Sequence, residues 1–161
     1  MSIHKKLIKW LQDSGFEHHI ILHESAGLSA DVALARKKVG ITEAEGAKAL
    51  LIKSKKFDQF INVVVPASSR LNKSKLKLEL GRTRFAKDDE FFELTEGLGK
   101  GMLPPFTEPF FPNIGKLFVD QSLFDFQSIA FNAACLDKSI MMPSENYKAL
   151  VCSNAKIVNV V

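Results

Sequence analysis

Ala47-Lys48-Ala49-Leu50-Leu51-Ile52-Lys53 and Phe60-Ile61-Asn62-Val63-Val64-Val65-Pro66 are the stretches on which the fold turns. Both are short apolar runs, and both read as strands. The second is rich in β-branched residues, which suit a pleated, half-buried surface. Pro66 closes it. Upstream, Ile3, Leu7, Trp10 and Leu11 form one helical stripe with Gly15 as its stop. His18–His23 reads as a short strand. Ser29 is a cap for a helix through about Val39, ended by Gly40. Downstream, Asn72 caps a helix reaching Leu80, with Gly81 just past it. A short strand near Phe85 follows, then a helix that starts at Asp88 and Asp89 and stops near Gly97. Strands resume at Lys116–Val119, Ile129–Ala133 and Ser139–Met142. A short helix after Pro143 and a strand at Ile157–Val160 complete the pattern. Strands outnumber helices and alternate with them irregularly. This predicts a single α+β domain over residues 1–161, with a mixed, mostly antiparallel sheet and packed helices, and not a doubly wound parallel sheet.

The composition agrees. A length of 161 residues fits one core, and 46% hydrophobic with 25% charged residues is ordinary for a globular protein. No apolar run approaches the roughly 20 residues of a membrane-spanning helix. Lys5, Lys6, Lys9 and Asp13 interrupt any secretory segment. Cys135 and Cys152 do not make a disulfide framework, so a reducing, cytoplasmic compartment is expected. Thirteen Phe stand against one Trp and one Tyr. Several lie near Pro104 and Pro105, which predicts a local apolar pocket. The net charge of +4 is unevenly placed. Arg70, Lys73, Lys75, Lys77, Arg82, Arg84 and Lys87 fall in one stretch relieved only by Glu79. Arg36-Lys37-Lys38 and Lys53, Lys55 and Lys56 add smaller clusters. Such clusters neutralise phosphates, or else form a solvated face with no partner.

Most motifs fail on inspection. Gly97-Leu98-Gly99-Lys100-Gly101 lacks the spacing of a phosphate loop, and a dinucleotide fingerprint begun at Gly97 would need glycine where Met102 stands. No Gly-x-Ser-x-Gly elbow occurs. His19 and His23 share a strand face, but no nearby Cys or His pair completes a metal set, and neither metal nor cofactor is expected. Two features remain. Lys48 stands at the head of an apolar strand, where its ammonium must reach water or an anion. The segment from Gly97 to Gly115 is long, irregular and rich in Gly and Pro, as functional loops are. Within it, Gly101 permits close backbone approach and Pro104 and Pro105 stiffen the chain. The N–H groups of Met102 and Leu103 are expected to be free for an oxyanion. A snorkelling lysine and a rigid surface turn are the plainer alternatives.

These pieces together resemble the YbaK/prolyl-tRNA synthetase-associated family of aminoacyl-tRNA editing domains. Gly46-Ala47-Lys48-Ala49-Leu50-Leu51 is similar to its Gly-Ala-Lys-Ala-Leu segment. Val64-Val65-Pro66-Ala67 with Arg70-Leu71, and Arg84-Phe85-Ala86, resemble its next two. Gly101-Met102-Leu103-Pro104-Pro105-Phe106 resembles Gly-x-x-Pro-Pro-Phe, and Leu117–Leu123 the strand that ends in Val-Asp. The likeness runs from about His23, through Ser29-Ala30-Asp31-Val32-Ala33, to Val160. It implies hydrolysis of the ester of a mischarged tRNA, a tRNA partner, no cofactor, and room for a synthetase as a further partner. It also implies that Lys48 holds the terminal adenosine or its phosphate and that the Gly101–Pro105 backbone cradles the aminoacyl carbonyl. Lys48, Gly101 and Asp120 are the catalytic candidates. Met102, Leu103, Pro104, Pro105, Asn132 and Ala133 are the candidates for substrate binding, and Arg70, Lys73, Lys75, Lys77, Arg82 and Arg84 for tRNA.

The sequence departs from the family at three places. Its Phe-Asn-Ala-Gly-x-His segment reads Phe131-Asn132-Ala133-Ala134-Cys135-Leu136. The glycine after Pro-Pro-Phe is Thr107, and the loop beyond runs longer through Pro109, Phe110, Phe111 and Pro112. Two readings stay open: a trans-editing deacylase, and a tRNA- or nucleotide-binding module of the same fold without turnover, which Ala134 and Leu136 favour. A hydrolase of another activated ester is a third.

Overall fold

In a computed structural model, β2 (Ala47–Ser54) and β3 (Gln59–Pro66) pair antiparallel along their whole length, Ala47 opposite Pro66 and Ser54 opposite Gln59. The structure describes residues 1–25, 29–42 and 45–161, and of residues 29–33 it describes the backbone alone. Ser29 and the family-like Ser29–Ala33 segment therefore lie outside the described side chains. Pro66 is the last paired residue of β3 and so lies inside the strand, not past it.

A five-stranded sheet grows around this pair in the order β4-β2-β3-β5-β8. β4 (Thr83–Phe85) is antiparallel to β2, β5 (Lys116–Asp120) is parallel to β3, and β8 (Ala155–Val158) is parallel to β5. β1 (His19–Leu22), β7 (Lys138–Pro143) and β6 (Ser128–Asn132) form a second, antiparallel sheet in the order β1-β7-β6. The single sheet expected from the strand pattern is thus two sheets, joined by a parallel bridge between Gly46 and Ala130.

Alternation along β3 explains why the larger sheet is covered on both sides. Ile61, Val63 and Val65 face a core shared with Leu76, Leu80 and Phe118. Val64 faces the larger core, with Leu117, Val119, Phe106, Phe131 and Ile140. The period of two in strand side chains requires this division.

The helices follow their sequence signals. α1 (Ile3–Ser14) is capped by the Ser2 side chain, which accepts from Lys5 N, and ends at Gly15 in the left-handed region, φ 75°. It buries Ile3, Leu7 and Leu11. α2 (Ser29–Lys38) carries its cations in the last turn. Asn72 caps α3 (Lys73–Leu80) by accepting from Lys75 N at 3.1 Å. α4 (Asp88–Leu94) opens on three acidic residues, and α5 (Ser144–Val151) follows Pro143. Among the described residues, no helix is long and apolar enough to cross a membrane.

Phe106, Phe110 and Phe111, the phenylalanines beside the prolines, fill the core instead of lining the pocket that their placement suggested. Phe106 meets Trp10, Phe110, Phe131 and Tyr147 at centroid distances of 5.2 to 6.2 Å, all edge-on, and fills the larger core.

Candidate active site

The site sits at a gap in the β ladder. β4 pairs with β2 only over Ile52–Ser54, and Ala86 N adds one more bond to Leu51 O at 3.0 Å. At the other end Gly46 bridges to Ala130 of the second sheet. Between them, among the described residues, that edge of β2 has no strand beside it. A strand residue directs its N–H and C=O to the same side, and sides alternate. The Leu51–Ala86 bond therefore places the backbone polar groups of Ala49, two residues away, on the open edge. A cavity of about 220 Å³ occupies this gap. Ala47–Leu51, Lys48 included, line one wall, and Gly101, Leu103, Lys100, Asn132, Arg36 and Phe85 contribute to the others.

Lys48 and the Gly101–Leu103 segment thus share one cavity. Lys48 Nζ donates to Ser69 O at 2.8 Å, which anchors the side chain toward the β3–α3 connection. Lys100 Nζ lies 2.5 Å from Asp88. Among the described lining residues there is no carboxylate, so the wall is cationic.

The loop that carries Gly101 has no regular structure, and scaffold side chains hold its carbonyls. Asn132 Nδ2 on β6 donates to Gly101 O. Asn62 Nδ2 on β3 donates to Pro104 O and Phe106 O at 3.2 and 3.1 Å. Tyr147 OH on α5 donates to Pro105 O at 2.8 Å. Burial of Tyr147 pushes its phenol well above the usual range, so it remains a donor at any physiological pH. Three separate elements therefore fix one irregular segment, and the loop is preorganised without a strand or helix of its own.

Arg36 is the residue the sequence did not single out. It was one of a basic triple, yet it is only 4% exposed and lines the cavity. Its Nε donates to Ser139 Oγ at 2.9 Å, and Nη2 lies 3.5 Å from Asn132 Oδ1. Desolvation lowers its pKa to about 10, which leaves the charge intact at neutral pH. Among the described residues, no carboxylate lies in ion-pair range of it. His23 Nδ1 lies 2.7 Å from Glu24 O, so a neutral ring carries its proton there and Nε2 accepts from Ser139 Oγ at 2.9 Å. A directed chain results: Arg36 supports Asn132, and Asn132 supports Gly101. Nothing in Arg36-Lys37-Lys38 separates the first residue from its neighbours. The contact with Ser139, 103 positions away, does so.

Other expected residues fall elsewhere. Met102 N–H donates to Gly99 O at 3.1 Å and is not free, as its place in the loop had suggested. Among the described residues no acceptor takes Leu103 N–H, and Leu103, only 3% exposed, lines the cavity. Pro104 and Pro105 are buried behind the wall. Ala133 faces α1, and its carbonyl lies 2.5 Å from His4 Nδ1. Asp120 lies outside the cavity lining. It is fully buried, accepts from Val160 N at 2.7 Å and Ser122 N at 3.0 Å, and is bonded by Ser122 Oγ. Thr107 is buried, and its carbonyl accepts from Phe110 N and Phe111 N at 2.9 and 2.8 Å, so the longer loop folds into the core.

The basic stretch divides in two. Arg84 forms a bidentate pair with Glu90 at 2.7 and 3.0 Å, and this guanidinium, with Lys87 N–H, holds the Glu90 carboxyl down at about 2. Lys75 Nζ bonds Asn159 Oδ1 and Val161 O. Arg70, Lys73, Lys77 and Arg82 are exposed, and among the described residues no carboxylate lies in ion-pair range of them.

Comparison with known proteins agrees with this architecture. A model of the aminoacyl-tRNA editing domain matches residues 28–150. The Multifunctional Ser/Thr-tRNA deacylase ProXp-y of Escherichia coli K12 is 34% identical over 149 residues, spanning 89% of this chain and 85% of that protein. The crystal structure of the hypothetical protein APE2540 superposes with TM-score 0.79 at 24% identity, covering 96% of this chain and 98% of the other. That of a candidate trans-editing enzyme for prolyl tRNA synthetase gives 0.77 at 20% identity, covering 99% and 98%. The two solved structures share the fold, and the family match spans the strand that carries Lys48, the loop that carries Gly101 and the hairpin that carries Asn132: the chain belongs to the aminoacyl-tRNA editing domain family.

Proposed function

We propose that the protein is a trans-editing deacylase that hydrolyses the ester of a mischarged tRNA, with seryl or threonyl esters as the first substrates to test. The observation that carries this is the shared cavity. Lys48 and Arg36 both line it and bring positive charge, and Leu103 on the braced loop supplies an amide. Likeness to a Ser/Thr-tRNA deacylase supports the choice of esters. A cavity of about 220 Å³ is smaller than the ~300–1,000 Å³ of a typical ligand site, so it takes the aminoacyl ester and part of the ribose. Water adds to the carbonyl carbon, and the carbonyl oxygen gains negative charge, which the Leu103 amide stabilises. The C–O bond to the ribose then breaks, and the ribose oxygen takes a proton. An aminoacyl ester is already activated, so fixed donors and fixed orientation supply the acceleration.

A binding module without turnover drew its support from Ala134 and Leu136. Neither lines the cavity, and Leu136 is 39% exposed on the β6–β7 turn. Deacylation of seryl- and threonyl-tRNA decides between the two. The wild type releases the amino acid well above the spontaneous rate, and Lys48→Ala lowers kcat/KM by ~100-fold or more. Release no faster than in buffer would leave only binding.

A further inference from the structure

The active-site cavity has a neighbour. Phe85 at the end of β4 lines both it and a second cleft of about 500 Å³. Ile52, Leu71 and Leu76 form apolar parts of that cleft, and Lys73, Lys77 and Arg82 are cationic parts of it. Phe85 is 62% exposed. The Arg84–Glu90 pair ties β4 to α4 beside it, so the ring stands on a fixed backbone. A cavity of about 220 Å³ that takes the ester and part of the ribose leaves the preceding RNA strand to cross one of its walls. The wall at Phe85 offers an aromatic face with cations beyond it, the combination that single-stranded nucleic acids use: bases stack on the ring and phosphates meet the charges.

We infer that this cleft is the subsite for the nucleotide preceding the terminal adenosine of a single-stranded RNA 3′ end, with its base stacked on Phe85 and its phosphodiesters held by Lys73, Lys77 and Arg82. The inference rests on the deacylase reading in one respect: it takes from it that an RNA 3′ end enters the first cavity.

Two measurements test it. The first compares seryl-tRNA with seryl-adenosine, which lacks the preceding nucleotides. Phe85→Ala raises KM for seryl-tRNA by roughly 5- to 100-fold more than for seryl-adenosine, and Phe85→Trp restores it. Lys77→Ala shows the same preference for harming the longer substrate. Equal losses on both substrates would overturn the inference while leaving the deacylase reading intact. The second measurement needs no turnover. Calorimetric titration with the trinucleotide CCA gives at least roughly tenfold tighter binding than AMP, and Phe85→Ala abolishes the difference. If the trinucleotide binds this way and no ester is cleaved, the subsite stands and the deacylase reading fails. Equal affinity for CCA and AMP, or displacement of CCA by a tetraglutamate peptide at similar concentration, would overturn the subsite.

Discussion

Arg36 holds a cation at 4% exposure with a hydroxyl and an amide oxygen as partners. Removing a charge from water without an opposite charge beside it costs several kcal/mol, and the lowered pKa is the same cost expressed in protons. Such a residue is retained for what it does to a ligand or to the loop. Arg36→Met is therefore expected to raise stability by about 1–3 kcal/mol in denaturant titration while lowering deacylation ~10-fold or more. A variant that gains stability and keeps full activity would remove Arg36 from the site. Ala134 has a different cost. It is buried with φ 58°, a left-handed conformation that glycine adopts freely and alanine does not. Ala134→Gly relieves about 1 kcal/mol, seen as a higher midpoint with an unchanged denaturant slope. Lys48 was legible in the sequence because a lysine in an apolar strand is an anomaly in itself. Arg36 was not, because its burial depends on Ser139 and Asn132, which reach it only through tertiary structure.

The elements were largely readable, and the reasons are local. Asn72 and Gly81 bracket α3 as caps do, and the apolar stripe of α1 turned inward. The β-branched run of β3 is buried from Ile61 to Pro66. What the elements did not reveal is how the Gly97–Gly115 loop is held. Asn62 and Tyr147 are unremarkable in sequence, Asn132 stood out only by its likeness to a family segment, and each reaches a loop carbonyl from a different element. Asp120 presents the opposite case. Its position resembled that of a site residue, yet its carboxylate binds the start of the 3-10 helix Gln121–Asp125 and the backbone of Val160. Asp120→Asn places an amide against donors. It is expected to cost about 1–3 kcal/mol of stability while the rate of the folded enzyme stays near wild type. A large drop in kcat in a variant shown to be folded would return Asp120 to the chemistry.

At the scale of the whole molecule, the strand pattern predicted a mixed sheet but not its division in two. Among the described residues the join is a bridge at Gly46, which no periodicity announces. Charge placement was legible only as a total. The structure separates Arg70, Lys73, Lys77 and Arg82, which face solvent, from Lys75 and Arg84, which are bonded within the protein. Affinity for tRNA is expected to fall with salt at a log–log slope of roughly −3, from four neutralised phosphates. Alanine at any of the four exposed positions lowers that slope by about 0.7–0.9, and alanine at Lys75 or Arg84 lowers it less. The packing of α1 has one more consequence. Trp10 is the chain's one tryptophan, and its indole meets Phe106 and Phe110 at 5.2 and 5.3 Å, rings on the same loop whose earlier residues wall the cavity. The protein therefore carries its own optical reporter: any ligand that shifts the loop changes the emission of a single fluorophore, without a label.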